Sequence, residues 1–117
     1  MVPIPIFRCT GEVVCEADIA DRFLSRLVGL MGKRAADCKS PLLLTRTSSI
    51  HTFFMRFPID VVHLDRQGRV LAVQSALAPW QLGRFVKRTR HILELRPGEA
   101  AKAGIVPGDT LLWMRLG

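Results

Sequence analysis

The chain lacks the runs and spacings by which several common functions announce themselves. No apolar stretch exceeds a handful of residues, far short of the roughly 20 needed to cross a bilayer, so no membrane span is expected. The three cysteines, Cys9, Cys15 and Cys38, form no CxxC pair and no zinc-like spacing, which leaves reduced, partly buried thiols acting as small hydrophobes. There is no glycine-rich phosphate loop, and Ser48 and Ser49 have no glycine elbow around them, so the usual nucleotide and serine-nucleophile signatures are missing. Internal repeats and low-complexity segments are absent too. Met1 to Phe7 has no basic leader and carries Pro3 and Pro5, which break a signal-like core, and a cytoplasmic protein is expected from the chain as written.

What is present fits one globular domain over residues 1–117. The chain is 49% apolar and 23% charged, values that indicate neither disorder nor a membrane protein, and its length suits a single core. The formal net charge of +7 is carried mostly by arginine, 13 residues against 4 lysines, a choice that favours planar, multidentate contacts with carboxylate or phosphate. The densest patch runs from Arg84 to His91 and interleaves cations with Phe85. It has the character to follow a nucleic-acid backbone, with a solvated loop as the plain alternative.

The elements are legible from periodicity. Ile4–Cys9 and Glu12–Glu16 flank a Thr10-Gly11 turn as two short strands, a register that opposes Cys9 to Glu12 and Cys15 to Ile6. Asp18 then offers a helix N-cap, and Ile19, Phe23, Leu27 and Met31 recur at four-residue steps until Gly32, which predicts one principal helix packed on a sheet. Leu42 to Arg46 reads as a short buried strand. Pro58 forces Phe57 to be extended, and Ile59–Asp65 and Arg69–Ser75 form a hairpin about Arg66-Gln67-Gly68. Within its first arm Asp60 shares a face with Val62 and Leu64, whereas Ile59 and Val61 share the other with His63. An acid on an apolar face needs a cation or several backbone donors, and Arg46, Arg56 and His51 are the neighbouring candidates. Ala76 to Arg90 reads as a long loop, His91–Leu95 as a strand bearing Glu94, Glu99–Ala103 as one helical turn and Thr110–Arg115 as the last strand.

Gly29-Leu30-Met31, the run His51 to Asp60 leading into Val61 to Gly68, Leu93-Glu94-Leu95 with Pro97-Gly98, and Gly104-Ile105 with Gly108-Asp109 together resemble the domain of unknown function 192 family of bacteria and archaea, over about residues 18–113. The resemblance implies an α+β fold with a curved, mainly antiparallel, barrel-like sheet, one principal helix and a short second helical turn. It implies no established reaction. Many relatives look exported behind a leader. The family's more usual Trp-Met-Lys-Asn stands here as Phe54-Met55-Arg56-Phe57, which keeps the cation and loses the amide.

Three kinds of chemistry follow from these residues. Asp60 and Glu94, both inside apolar strands, are the candidate general acid and base of a hydrolase, provided they face one cleft. His51, His63 and His91 have no helical three- or four-residue spacing, so no metal and no cofactor is expected. The leading expectation is a binding or accessory domain with a groove around residues 51–60 for a small anionic ligand or peptide, using His51, Thr52, Met55, Arg56, Asp60, Trp80 and Glu94 beside Phe53, with Arg56 as anchor.

Overall fold

The computed structural model describes residues 3–20, 41–52 and 55–114. Seven strands appear there: β1 (Ile4–Arg8), β2 (Val13–Ala20), β3 (Leu42–Leu44), β4 (Ile59–Leu64), β5 (Val70–Leu77), β6 (His91–Leu95) and β7 (Leu111–Leu112), with one short helix, α1 (Glu99–Lys102), before the last strand. They form one sheet in the order β5-β4-β6-β3-β2-β1-β7. All its pairings are antiparallel except that of β2 with β3. This is the α+β, barrel-like architecture that the family resemblance implies.

The sheet curls because β2 changes partner along its length. Its first part pairs with β1, with Cys15 opposite Ile6 as the hairpin register requires, until a bulge at Ile6/Phe7 places Phe7 against Val13. Its last three residues instead run parallel to β3, Asp18 against Leu42 and Ala20 against Leu44. Asp18 is therefore a strand residue and not the expected N-cap; three neighbouring leucines offer a ladder that outweighs the local capping preference. The rest of the expected principal helix lies outside the described residues. Burial, helped by the charge of Glu16, pushes the Cys15 thiol up to about 11, consistent with an inert half-buried thiol, while Cys9 is exposed, contrary to the expected partial burial.

The two ends of the strand order meet at the β4–β5 turn. Val70 donates its amide to the Asp109 carbonyl at 2.7 Å and Leu111 donates to Gly68 at 2.8 Å, with Arg69 bridged to Thr110. Gly68 has φ 85°, and a Cβ placed there would stand 2.2 Å from the Leu111 carbonyl oxygen. Arg8 fastens the same end, donating to the carbonyls of Ala103 and Gly104 just after α1 and pairing with Asp109 at 3.5 Å.

Alternation along the strands divides the apolar residues between two clusters. The inner one contains Ile6, Leu43, Val62, Leu64, Leu93, Leu95, Ala100, Ile105 and Leu111. The outer one joins Leu42, Leu44, Val61, Leu77 and Ile92 with Met55, Phe57 and Ile59, so the stretch before and after Pro58 covers the outer face. Gly68→Ala is expected to lower unfolding free energy by about 2 kcal/mol, since it adds both a left-handed strain and a backbone clash; urea denaturation measures it, and an unchanged midpoint would contradict this closure.

Candidate functional site

Asp60 is completely buried and both of its carboxylate oxygens are hydrogen-bonded. Oδ1 accepts the amide of Ala76 at 2.9 Å, and Oδ2 accepts those of Gly98 and Ala100, both at 3.0 Å. Gly98, at φ 88°, is the N-cap of α1 and has no side chain to do the capping. Asp60 supplies that function from a different strand, where an anion also suits the exposed amides. Ala76, a non-glycine residue at φ 51°, is held in that conformation beside the β4–β5 irregularity. Three amides satisfy the acid in place of Arg46, Arg56 or His51.

Thr52 is equally committed. Its hydroxyl is hydrogen-bonded to the carbonyl of Ala78 and to both backbone groups of Gln81. Its own carbonyl accepts from Trp80 at 2.9 Å and its amide donates to Gln81 at 2.7 Å. Together with the Gly83 amide on the Ile50 carbonyl and the bridge of His51 to Leu82, these bonds lash residues 50–52 to the loop at 78–83. Met55 is buried in the outer cluster. Trp80 is largely exposed and Arg56 is exposed; Phe53 lies outside the described residues.

Glu94 differs from Asp60 in almost every respect. Asp60 is opposite Leu95 while Glu94 is opposite Val61, so the two acids emerge on opposite faces of the sheet. They are not assembled into the common cleft that an acid/base pair needs. Glu94 stands between Leu42 and Val61 on the outer face, is only 5% exposed, and its Oε2 has no hydrogen-bond partner. Burial alone pushes its pKa up from 4.5 to about 7.

Two further residues, which did not figure among the expected binding residues, share that face. Asp18 reaches it two strands from Glu94, with Leu42 between them, roughly 10 Å away at ordinary strand spacing, and its buried Oδ1 also lacks a partner. His63 stands opposite Ile92, diagonal to Glu94. Its Nδ1 is 3.2 Å from the Thr89 hydroxyl, whose single proton goes to the Val86 carbonyl at 2.7 Å. Nδ1 must therefore donate. Burial, with a smaller effect of Arg84, lowers the His63 pKa, so the ring is neutral at pH 7 and its unpartnered Nε2 is a bare acceptor. Three buried acceptors thus face one way without a donor among the described residues. Alternation in the sequence contains the signal for His63, but Asp18 required knowing the β2–β3 register.

No group of three or more His, Cys, Asp or Glu side chains suited to a metal ion occurs among the described residues. His91 is half-buried, accepts the Arg46 amide at its Nδ1 and meets Trp113 edge to face, which ties it to the scaffold at the end of the basic stretch. A shallow surface cavity of about 140 Å³ lies elsewhere, between Arg66–Gly68 and Leu111–Trp113. Among the described residues no helix is long and apolar enough to cross a membrane.

Asp60→Asn is expected to destabilise the fold by about 3 kcal/mol, because a side-chain amide presents a donor where an acceptor is required and the charge-assisted bonds are lost; equilibrium denaturation checks it. Glu94 generates a pH dependence. Its folded-state pKa lies above the unfolded value, so its contribution is intact below about pH 4.5 and is lost as pH rises through about 7, a change of about 3 kcal/mol. His63, with a lowered pKa, acts oppositely and weakens the fold as pH falls below its ordinary 6.5. Urea melts at pH 5 to 8 should show Glu94→Gln losing the alkaline decline and His63→Gln losing the acid one.

Residues 6–113 match the domain of unknown function 192 family, described as uncharacterized ACR, a span that begins twelve residues before the stretch carrying the sequence resemblance. A UPF0127 protein of Pyrococcus horikoshii is 40% identical over 103 residues, covering 84% of this chain and 87% of the relative. One from Pyrococcus furiosus is 30% identical over 108 residues, covering 90% and 92%. A protein of unknown function from Novosphingobium aromaticivorans superposes with a TM-score of 0.77 at 21% identity, over 95% of this chain and 84% of that one, a likeness of fold. The chain belongs to the domain of unknown function 192 family, whose curated relatives carry the UPF0127 name.

Proposed function

We propose that this domain is a binding module, without catalysis of its own, that takes a small molecule or peptide segment rich in hydrogen-bond donors. The observation that carries this reading is the set of unpartnered, buried acceptors on the outer face, Glu94 Oε2, Asp18 Oδ1 and His63 Nε2. Buried polar atoms are almost always paired, because leaving one without a bond costs about 1–3 kcal/mol. A ligand that brings amine, guanidinium or amide hydrogens within reach recovers that cost, and the same face carries the buried apolar side chains of Met55, Phe57 and Ile59.

This revises the ligand's charge. The expected anionic ligand rested on Arg56, which is exposed and stands apart from the acceptors in burial. It also disfavours a hydrolase, since the two acids face opposite sides of the sheet and both oxygens of Asp60 are bonded to main-chain amides. Thermal unfolding with phenethylamine and with phenylacetate at pH 8, where Glu94 is ionised, tests the proposal. The amine should stabilise the protein by about 2–3 kcal/mol at a concentration near a hundredfold its Kd, and Glu94→Leu should abolish that shift. Stabilisation by the carboxylate that depends on Arg56 would overturn it in favour of anion binding.

A further inference from the structure

The loop between β5 and β6 presents large apolar side chains to solvent in the midst of cations. Trp80, Leu82 and Phe85 are 60%, 72% and 77% exposed, and Arg84, Lys87, Arg88 and Arg90 around them are exposed too. Three such side chains along six residues of one loop are more than the scattered surface apolars of a soluble protein.

The loop is built to stay in this conformation. Residues 50–52 hold it at Trp80, Gln81 and Gly83. A Cβ on Gly83 would come within 2.9 Å of the Ile50 carbonyl oxygen, so glycine permits the close approach. Gln74 Oε1 accepts the Arg84 amide at 3.1 Å, Thr89 is bonded to Val86, and the Arg90 amide donates to the Leu64 carbonyl at 2.7 Å. Trp80 at φ 63° and Arg88 at φ 74° are bulky residues in the left-handed region, a conformation that persists only where the surroundings enforce it. The fold therefore spends stability to display these side chains in a fixed array.

From the charge and this display we infer that the loop docks on the surface of an anionic lipid bilayer, with Trp80, Leu82 and Phe85 entering the interface and Arg84, Lys87 and Arg88 lying among the headgroups. Aromatic and aliphatic side chains ringed by Lys and Arg are the composition of interfacial anchors. A single-stranded nucleic acid would use the same cations and stack its bases on Trp80 and Phe85. It would leave Leu82 without a role, although Leu82 is among the most exposed side chains of the loop. Leu82 is what favours lipid. The contact is peripheral and uses side chains other than Asp18, His63 and Glu94.

Co-sedimentation with vesicles of phosphatidylcholine containing roughly a third phosphatidylglycerol tests this. The protein should bind these vesicles and not vesicles of phosphatidylcholine alone. Changing Arg84, Lys87 and Arg88 together to Gln should weaken partitioning about a hundredfold, near fivefold for each charge removed, and Leu82→Gln with Phe85→Gln should weaken it at least about tenfold with the charges intact. Circular dichroism establishes that both variants remain folded. Equal binding to neutral vesicles, or no loss in the Leu82/Phe85 variant, overturns the inference. So does binding to oligothymidylate that needs the cations, ignores Leu82→Gln and occurs without any affinity for the anionic vesicles.

Discussion

One carboxylate ties together three parts of the chain that would otherwise be independent. Asp60 receives amides from residues 16, 38 and 40 positions away, so the β5 irregularity and the start of α1 are both referenced to β4. A short helix of four residues opening on a left-handed glycine has little stability of its own. Its N-terminus is determined instead by an acid that belongs to the core. Because the three amides come from the main chain, the anion is held without a buried cation, and the desolvation of a second charge is avoided.

The second buried acid is the counterpoint. Glu94 sits one strand away at nearly the same height, yet it gains none of those bonds because it points to the other face. The same physical cost that Asp60 recovers internally remains outstanding there and is reflected in its raised pKa. A neutral imidazole and a second carboxylate with spare lone pairs on that face make the deficit a collective one. Such unpaired buried groups are uncommon in native proteins, since each costs about 1–3 kcal/mol.

Much of this architecture was legible in the residues. The alternation from Ile59 to Leu64 assigned Asp60 to one face and His63 to the other, and the two hairpins and the Glu99 turn fell where their turn residues put them. Three things were hidden. Backbone amides carry no label in a sequence, so cations are the only partners for Asp60 that the residues themselves suggest. Alternation fixes faces within a strand but says nothing of which face of the neighbour it matches, so Asp60 and Glu94 looked like a pair until their register separated them. Asp18 was concealed by its own chemistry, because a good N-cap residue ahead of a helical period is also acceptable in a strand when a parallel neighbour supplies the ladder. The rigidity of the loop at 78–90 was hidden for the same reason as the amides around Asp60.

The pairing of β1 with β7, Phe7 against Leu112 and Arg8 against Leu111, bears on how the protein comes into being. β1 meets one of its two neighbours only when β7, about a hundred residues further along the chain, is in place. Until then β1 has an unfilled edge, and Ile6 of the inner cluster lacks Leu111 beside it. Contacts so distant along the chain form late and make folding slow, and an open apolar edge in the interim invites pairing with other chains. Pro5, exposed in β1, is the kind of residue that blunts such an edge, since it cannot donate to a stray strand. Until β7 pairs, this edge of the sheet stays open, with a proline standing in for the missing neighbour.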